Sequence, residues 1–230
     1  MFVGQLNRRV VTIVIVFAGC LAMSTPASSG QGIIKTSPTI TSNTLLRGDV
    51  GVFGAPRGNG KTHAGVDIVA NQLSTDKEVY KVRAVADGVV AYALFNGDDA
   101  TEGYGYTVVL DHDNGSYTLY AHLATLASAG IVKAGSTVTA GQVIGYMADP
   151  ANNEMSSGNV LGPSVQPYDK IQLHFEEFQA PRARSSTGAL KPIKDGATIL
   201  DPTDDLTSKG YTSPQTAKQV PSGLSATSRN

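Results

Sequence analysis

Three separate segments carry the residues best able to do chemistry: His63 and Asp67 in THAGVDI, His122 in LYAHL, and His174 in IQLHFEEF. The chain has 4 histidines, and three of them fall in these segments. Two imidazoles and a carboxylate, with a further imidazole nearby, make the donor set of a catalytic zinc site that keeps an open position. Gln172 stands where another site residue is expected, two positions before His174.

The spacing says how these residues are presented. His63 and Asp67 are four apart, which puts them on one face of either a helix or a strand. Gly65 between them and the apolar Val66, Ile68 and Val69 favour a strand, and a glycine at the middle position leaves space for an ion. A surface strand with polar residues facing water would give the same pattern, so the pair alone does not define a site. Along 171–178, residues 172, 174 and 176 share one face while Leu173 and Phe175 fill the other. His174 is expected to look outward from an anchored strand, with Glu176 able to fix the tautomer of a ligand imidazole. A solvated carboxylate is the plainer role for Glu176. His122 follows Tyr120 by two and is expected to project to the same side, and a structural hydrogen-bonding histidine is its plainer reading. His112, at the entry to a turn, reads as a turn or surface residue.

These residues need a β framework, and the composition supplies one. Val, Thr and Tyr recur in short runs, glycine is frequent with 25 residues, and tryptophan is absent. Val82 to Ala93 has a turn at Asp87-Gly88 between two apolar stretches. Tyr106 to Leu110 and Tyr117 to Tyr120 flank Asp113-Asn114-Gly115, where Asn-Gly tolerates the positive φ of a hairpin turn. Val132 to Met147 alternates short strands with Ala-Gly turns. Only Leu123 to Gly130 and Pro202 to Leu206 read as helical. The expectation is a mainly β chain, a twisted antiparallel sheet with hairpins and few short helices. The net charge is -1 and no basic stripe appears, which argues against nucleic acid as a partner.

The termini read differently. Arg8 and Arg9 precede an apolar stretch from Val10 to Ala18, the length of a signal-peptide core and short of the about 20 apolar residues a membrane span needs. Residues 1–23 are therefore expected to be an export signal. Phe17-Ala18-Gly19-Cys20 resembles a lipobox, and two outcomes stay open: a lipid anchor on Cys20, or cleavage near Ala27 with Cys20 removed. Cys20 is the only cysteine, so no internal disulfide forms. Residues 24–45 and 207–230 are rich in small polar residues and read as a flexible tether and a disordered tail. The folded domain is expected over 46–206.

Together the segments resemble the lysostaphin-type, LytM-like M23 zinc endopeptidases, which cut peptidoglycan cross-links and bridges. The resemblance runs from Phe53-Gly54-Ala55-Pro56-Arg57 through THAGVDI, ADGVV, YGYTVVLDHDNGSYTLYAHL and VKAGSTVTAGQVIG to LHFE and the closing Asp201-Pro202. It implies a sheet of the LytM, duplicated-hybrid-motif type. It implies one Zn2+ held by His63, Asp67 and His174, with His122 as a catalytic histidine that holds no metal. The family pattern has a second such histidine as the first His of HxH, and Gln172 replaces it here. A glutamine amide donates and accepts hydrogen bonds but takes no proton near neutral pH, and general acid–base help is typically worth about 10²- to 10⁴-fold. The implied function is a zinc-dependent endopeptidase acting on peptidoglycan peptides in the cell envelope, slowed by Gln172. The alternative is a catalytically impaired envelope protein of the same fold that binds peptidoglycan or regulates another cell-wall hydrolase. The VADG and VKAGSTVTAGQVIG hairpins also resemble biotinyl and lipoyl carriers, but the Met-Lys-Met turn of those domains is absent.

Overall fold

Alternating apolar and polar side chains give a pleated backbone two unlike faces, and burying them fixes strand and register together. The computed structural model describes residues 32–57, 60–71, 74–96, 103–113, 115–124, 132–149, 171–181, 193–194 and 196–212. The strands are Thr44–Leu46 (β1), Val66–Ala70 (β2), Lys81–Arg83 (β3), Gly88–Asn96 (β4), Gly105–Asp111 (β5), Ser116–Leu123 (β6), Thr137–Val138 (β7), Val143–Tyr146 (β8), Gln172–Gln179 (β9) and Thr198–Leu200 (β10). The α-helix Thr203–Ser208 (α1) follows at the segment expected to be helical.

The main sheet has the order β1-β2-β9-β6-β5-β4-β7, with β10 added beside the far end of β9, and β3 and β8 form a small second sheet. Every pairing is antiparallel. The mainly β, antiparallel architecture expected from the sequence is the one this chain adopts. Both faces of the sheet are covered. Leu173 and Phe175 of β9, Val108 and Leu110 of β5 and Tyr120 of β6 pack with Val82 and Ile144 of the small sheet. Tyr117, Leu119 and Ala121 of β6 pack on the opposite face with Val109, Phe178 and Ile193. The β5–β6 hairpin forms as expected, with positive φ at Asp113 and Gly115 (72° and 75°).

Described residues on both sides of 46–206 also contact the sheet. Residues 32–45 pack onto the sheet: Ile34 is buried, Lys35 and Thr36 N–H donate to Val85 O, and Arg83 N–H donates to Pro38 O. Residues 207–212 are held as well. Tyr211 is buried, and its hydroxyl lies 2.6 Å from Thr39 Oγ1 and accepts from Thr39 N–H at 2.9 Å. Ser and Thr look like linker residues by composition, but here Thr39 Oγ1 meets Tyr211 Oη and Ser37 Oγ donates to Lys209 O across the two segments. Leu123, expected to open a helix over 123–130, ends β6 instead, and 125–130, the export signal read over 1–23, residues 24–31, Asn114 and the tail beyond 212 lie outside the described residues.

Candidate metal centre

His63 sits before β2, on a small hairpin made by the FGAPR segment. His63 N–H donates to Ala55 O at 2.8 Å, Gly54 N–H donates to His63 O at 2.9 Å, and Arg57 N–H donates to Lys61 O at 2.8 Å. The hairpin leads into β2, where Asp67 stands directly opposite His174 of β9 in the strand register. Gly65, between the two, is required for a reason other than the one expected. A Cβ there would lie 2.2 Å from the Phe175 carbonyl oxygen, so the missing side chain admits the β9 backbone, not an ion.

Three donor atoms converge. His63 Nε2 is 2.8 Å from His174 Nδ1, and Asp67 Oδ1 is 3.2 Å from the first and 3.1 Å from the second. All three residues are buried. The outer nitrogens settle the tautomers. His63 Nδ1 lies 2.9 Å from Val52 O, and a carbonyl only accepts, so the proton is on Nδ1. His174 Nε2 donates to Glu176 Oε1 at 3.0 Å. With both outer positions donating, the inner nitrogens, His63 Nε2 and His174 Nδ1, and the Asp67 carboxylate share the centre, where a proton or a metal ion would sit between them. Such a set suits a cation. A tetrahedral zinc with bonds of about 2.0–2.1 Å would set its ligand atoms roughly 3.3 Å apart. Two of the three separations match, and the third has only to open by about half an ångström. This is the one group of three or more His, Cys, Asp or Glu residues with metal-holding geometry among the described residues.

The electrostatics agree. Burial pushes the Asp67 carboxyl up, but hydrogen bonds from His174 and His63 outweigh it and hold the group well below the usual carboxylate range. Burial pushes the His174 imidazole down, and Asp67 and Glu176 outweigh this to raise it to about 9. Burial likewise raises Glu176, but His174 and Lys194 draw it down to about 2. The pocket therefore favours positive charge, whether a proton or a metal ion. Arg57 Nη2 lies 3.8 Å from Asp67 Oδ2, at the outer side of the cluster.

His174 was expected to face outward. It lies instead on the second buried face with Glu176, because side chains packed on that side cover it as well. Tyr104 and His122 flank it, with ring centroids 5.4 and 5.8 Å away. The position of His122 corrects a second expectation. Tyr106 pairs with Leu123 but Val108 pairs with Tyr120, so the single residue Thr107 of β5 is opposed by two of β6, Ala121 and His122. The extra residue makes a bulge, and His122 takes the left-handed conformation with φ 60°. Leu123 then joins Tyr120 in the first core, while His122 turns to the opposite side, towards His174. A non-glycine residue held there costs about 1 kcal/mol or more, a kind of strain concentrated at functional sites. Gln172 shares the His174 side of β9, 3% exposed, with Oε1 lacking any hydrogen-bond partner among the described residues. His112, expected at a turn or on the surface, is tied to Asp87 O and Thr118 Oγ1, each at 2.7 Å, away from the metal centre.

Two residues not foreseen complete the surroundings. Tyr104 donates its hydroxyl to Glu176 Oε1 at 2.7 Å. Its flanking Gly103 and Gly105, both at positive φ, were the available signal. Lys194 pairs with Glu176 Oε2 and had no sequence signal.

The model for peptidase family M23 matches residues 61–177, which include His63, Asp67, His122, Gln172 and His174. The DD-carboxypeptidase/endopeptidase Mpg of Neisseria meningitidis serogroup B is 31% identical over 147 residues, covering 64% of this chain and 25% of that protein. The cell division protein DipM of Caulobacter vibrioides is 28% identical over 186 residues, covering 76% of this chain and 25% of that protein. The chain thus spans about a quarter of the length of these relatives. Among solved structures, lytM of Ruminococcus gnavus is similar at 21% identity and a TM-score of 0.48, covering 75% of this chain and 59% of that one.

Proposed function

The chain belongs to peptidase family M23, and from that premise we propose that it is a zinc-dependent endopeptidase that hydrolyses peptide bonds in peptidoglycan. The observation that carries this reading is the convergence of His63 Nε2, Asp67 Oδ1 and His174 Nδ1, with both outer imidazole nitrogens already donated to fixed acceptors. A zinc ion held by these three would polarise the scissile carbonyl and make a nucleophile available near neutral pH. His122, turned towards the centre by its bulge, is the residue able to carry a proton or donate to the developing negative charge. Gln172 cannot carry a proton, but its unpartnered Oε1 can accept a hydrogen bond and so orient water or a substrate N–H. The name of the Neisseria relative, a DD-carboxypeptidase/endopeptidase, supports peptidase activity. The leader read over residues 1–23, with its choice of lipid attachment at Cys20 or cleavage near Ala27, fits work in the cell envelope.

Gln172 also favours a second reading, an envelope protein that keeps the fold and metal but binds peptidoglycan or regulates another hydrolase. Release of soluble muropeptides from purified sacculi separates the two. Release by the zinc-loaded protein, abolished in His63→Ala, supports catalysis. Retention on sacculi without release at any pH supports the binder.

A further inference from the structure

We infer that Lys194 is a positioning residue for the metal centre: through Tyr104 and Glu176 it sets the direction of the hydrogen bond that turns His174 Nδ1 towards His63 and Asp67. The inference rests on the metal reading above, and Lys194 lies beyond residues 61–177, the span matched by the family model.

The directions follow from what each group can do. Lysine is a donor only. Lys194 Nζ donates to Glu176 Oε2 and also to Tyr104 Oη at 2.8 Å. Tyr104 therefore accepts from Lys194, and its own proton goes to Glu176 Oε1 at 2.7 Å. Both carboxylate oxygens are held as acceptors, Oε1 by Tyr104 and Oε2 by Lys194. Oε1 keeps room for one more donor, which is His174 Nε2 at 3.0 Å. With Nε2 committed to Glu176, Nδ1 is the nitrogen presented to Asp67 Oδ1 at 3.1 Å and His63 Nε2 at 2.8 Å, where a metal ion would take the place of its proton.

Lys194 is itself fixed. Its ammonium lies 4.9 Å from the Tyr104 ring centroid and 5.7 Å from that of Phe178, and the Glu176 side chain it meets has no exposed surface. The neighbouring Ile193 packs in the second core, which ties the segment down. If Lys194 only neutralised a buried carboxylate, the Tyr104 hydroxyl would be dispensable. If the triangle sets direction, removing either member loosens Glu176 and with it the ring of His174. Partners of metal-ligating histidines typically affect metal affinity by about 10- to 100-fold.

The test is zinc affinity of the full chain, measured by competition with a chromophoric chelator, for the parent, Lys194→Met, Lys194→Arg, Tyr104→Phe and His63→Ala. The His174 Nε2–H proton resonance of each zinc-loaded protein is recorded alongside. Lys194→Met is expected to bind zinc about 10- to 100-fold more weakly, with faster solvent exchange of the Nε2–H proton. Lys194→Arg should recover most of the affinity. Tyr104→Phe, which keeps the ion pair, should move both readouts the same way, and it carries the test alone if Lys194→Met does not fold. Parental affinity in Lys194→Met, or an unmoved affinity and Nε2–H signal in Tyr104→Phe, would overturn the inference. If His63→Ala has meanwhile lost zinc, the metal reading survives that failure. A parent that binds no zinc overturns both.

Discussion

Replacing Gln172 with methionine should make the metal-free protein more stable and the loaded protein less active. Gln172 is 3% exposed and its Oε1 has no partner among the described residues. A buried acceptor left unsatisfied costs about 1–3 kcal/mol. Methionine has similar length, no carbonyl and enough flexibility to fill the same space. Losing any bond made by the amide nitrogen would return about 1 kcal/mol. The net expectation is a gain of up to about 2 kcal/mol, which for a domain of this size raises Tm by up to roughly 8 °C. Activity should move the other way. The oxygen lies on the His174 side of β9, and an acceptor that orients a reacting group there is worth about 10- to 100-fold when lost. Thermal melts of the metal-free protein and muropeptide release by the zinc-loaded protein read the two effects. A lower Tm would mean that the oxygen serves the fold. A higher Tm with unchanged release would mean that the oxygen is idle during turnover.

Three other substitutions test separate parts of the account. Gln172→His restores a group able to carry a proton and should speed muropeptide release, up to about 10²-fold or more; an equal or slower rate would contradict the role given to that position. Gly65→Ala places a Cβ 2.2 Å from the Phe175 carbonyl oxygen, so urea unfolding should show a loss of about 2–3 kcal/mol, and parental stability would refute the close strand contact. Glu177 is raised from 4.5 to about 7, first by burial and then by the Asp205 carboxylate. The unfolded chain then loses this proton at lower pH than the folded protein, so stability falls as pH rises through that window. Glu177→Gln should match the parent near the low end and exceed it by about 1–2 kcal/mol above pH 7, the figure reduced for solvent screening; a pH-independent difference would refute it.

The parts legible in the sequence are those set by local period. The two-residue alternation of Leu173, His174, Phe175 and Glu176 separates the faces of β9 wherever that strand is placed. The i,i+4 spacing of His63 and Asp67 survives even though His63 precedes the strand. Four features escaped because they depend on contacts between distant segments. The bulge adds one residue to β6 and reverses the phase of His122 after a regular run. The contact made possible by Gly65 is with Phe175, remote in sequence. The hydroxyls of Thr39 and Tyr211 meet across 172 residues and turn an apparent linker into packed chain. Lys194 reaches Glu176 from a segment with no periodic signal.

The account stands on a metal ion shared by His63, Asp67 and His174, and equilibrium dialysis against zinc followed by elemental analysis tests it most directly. The parent is expected to retain one zinc per chain, while His63→Ala, Asp67→Ala and His174→Ala, folded by circular dichroism, retain almost none. A parent without zinc, or variants that hold it as well as the parent, would contradict the account.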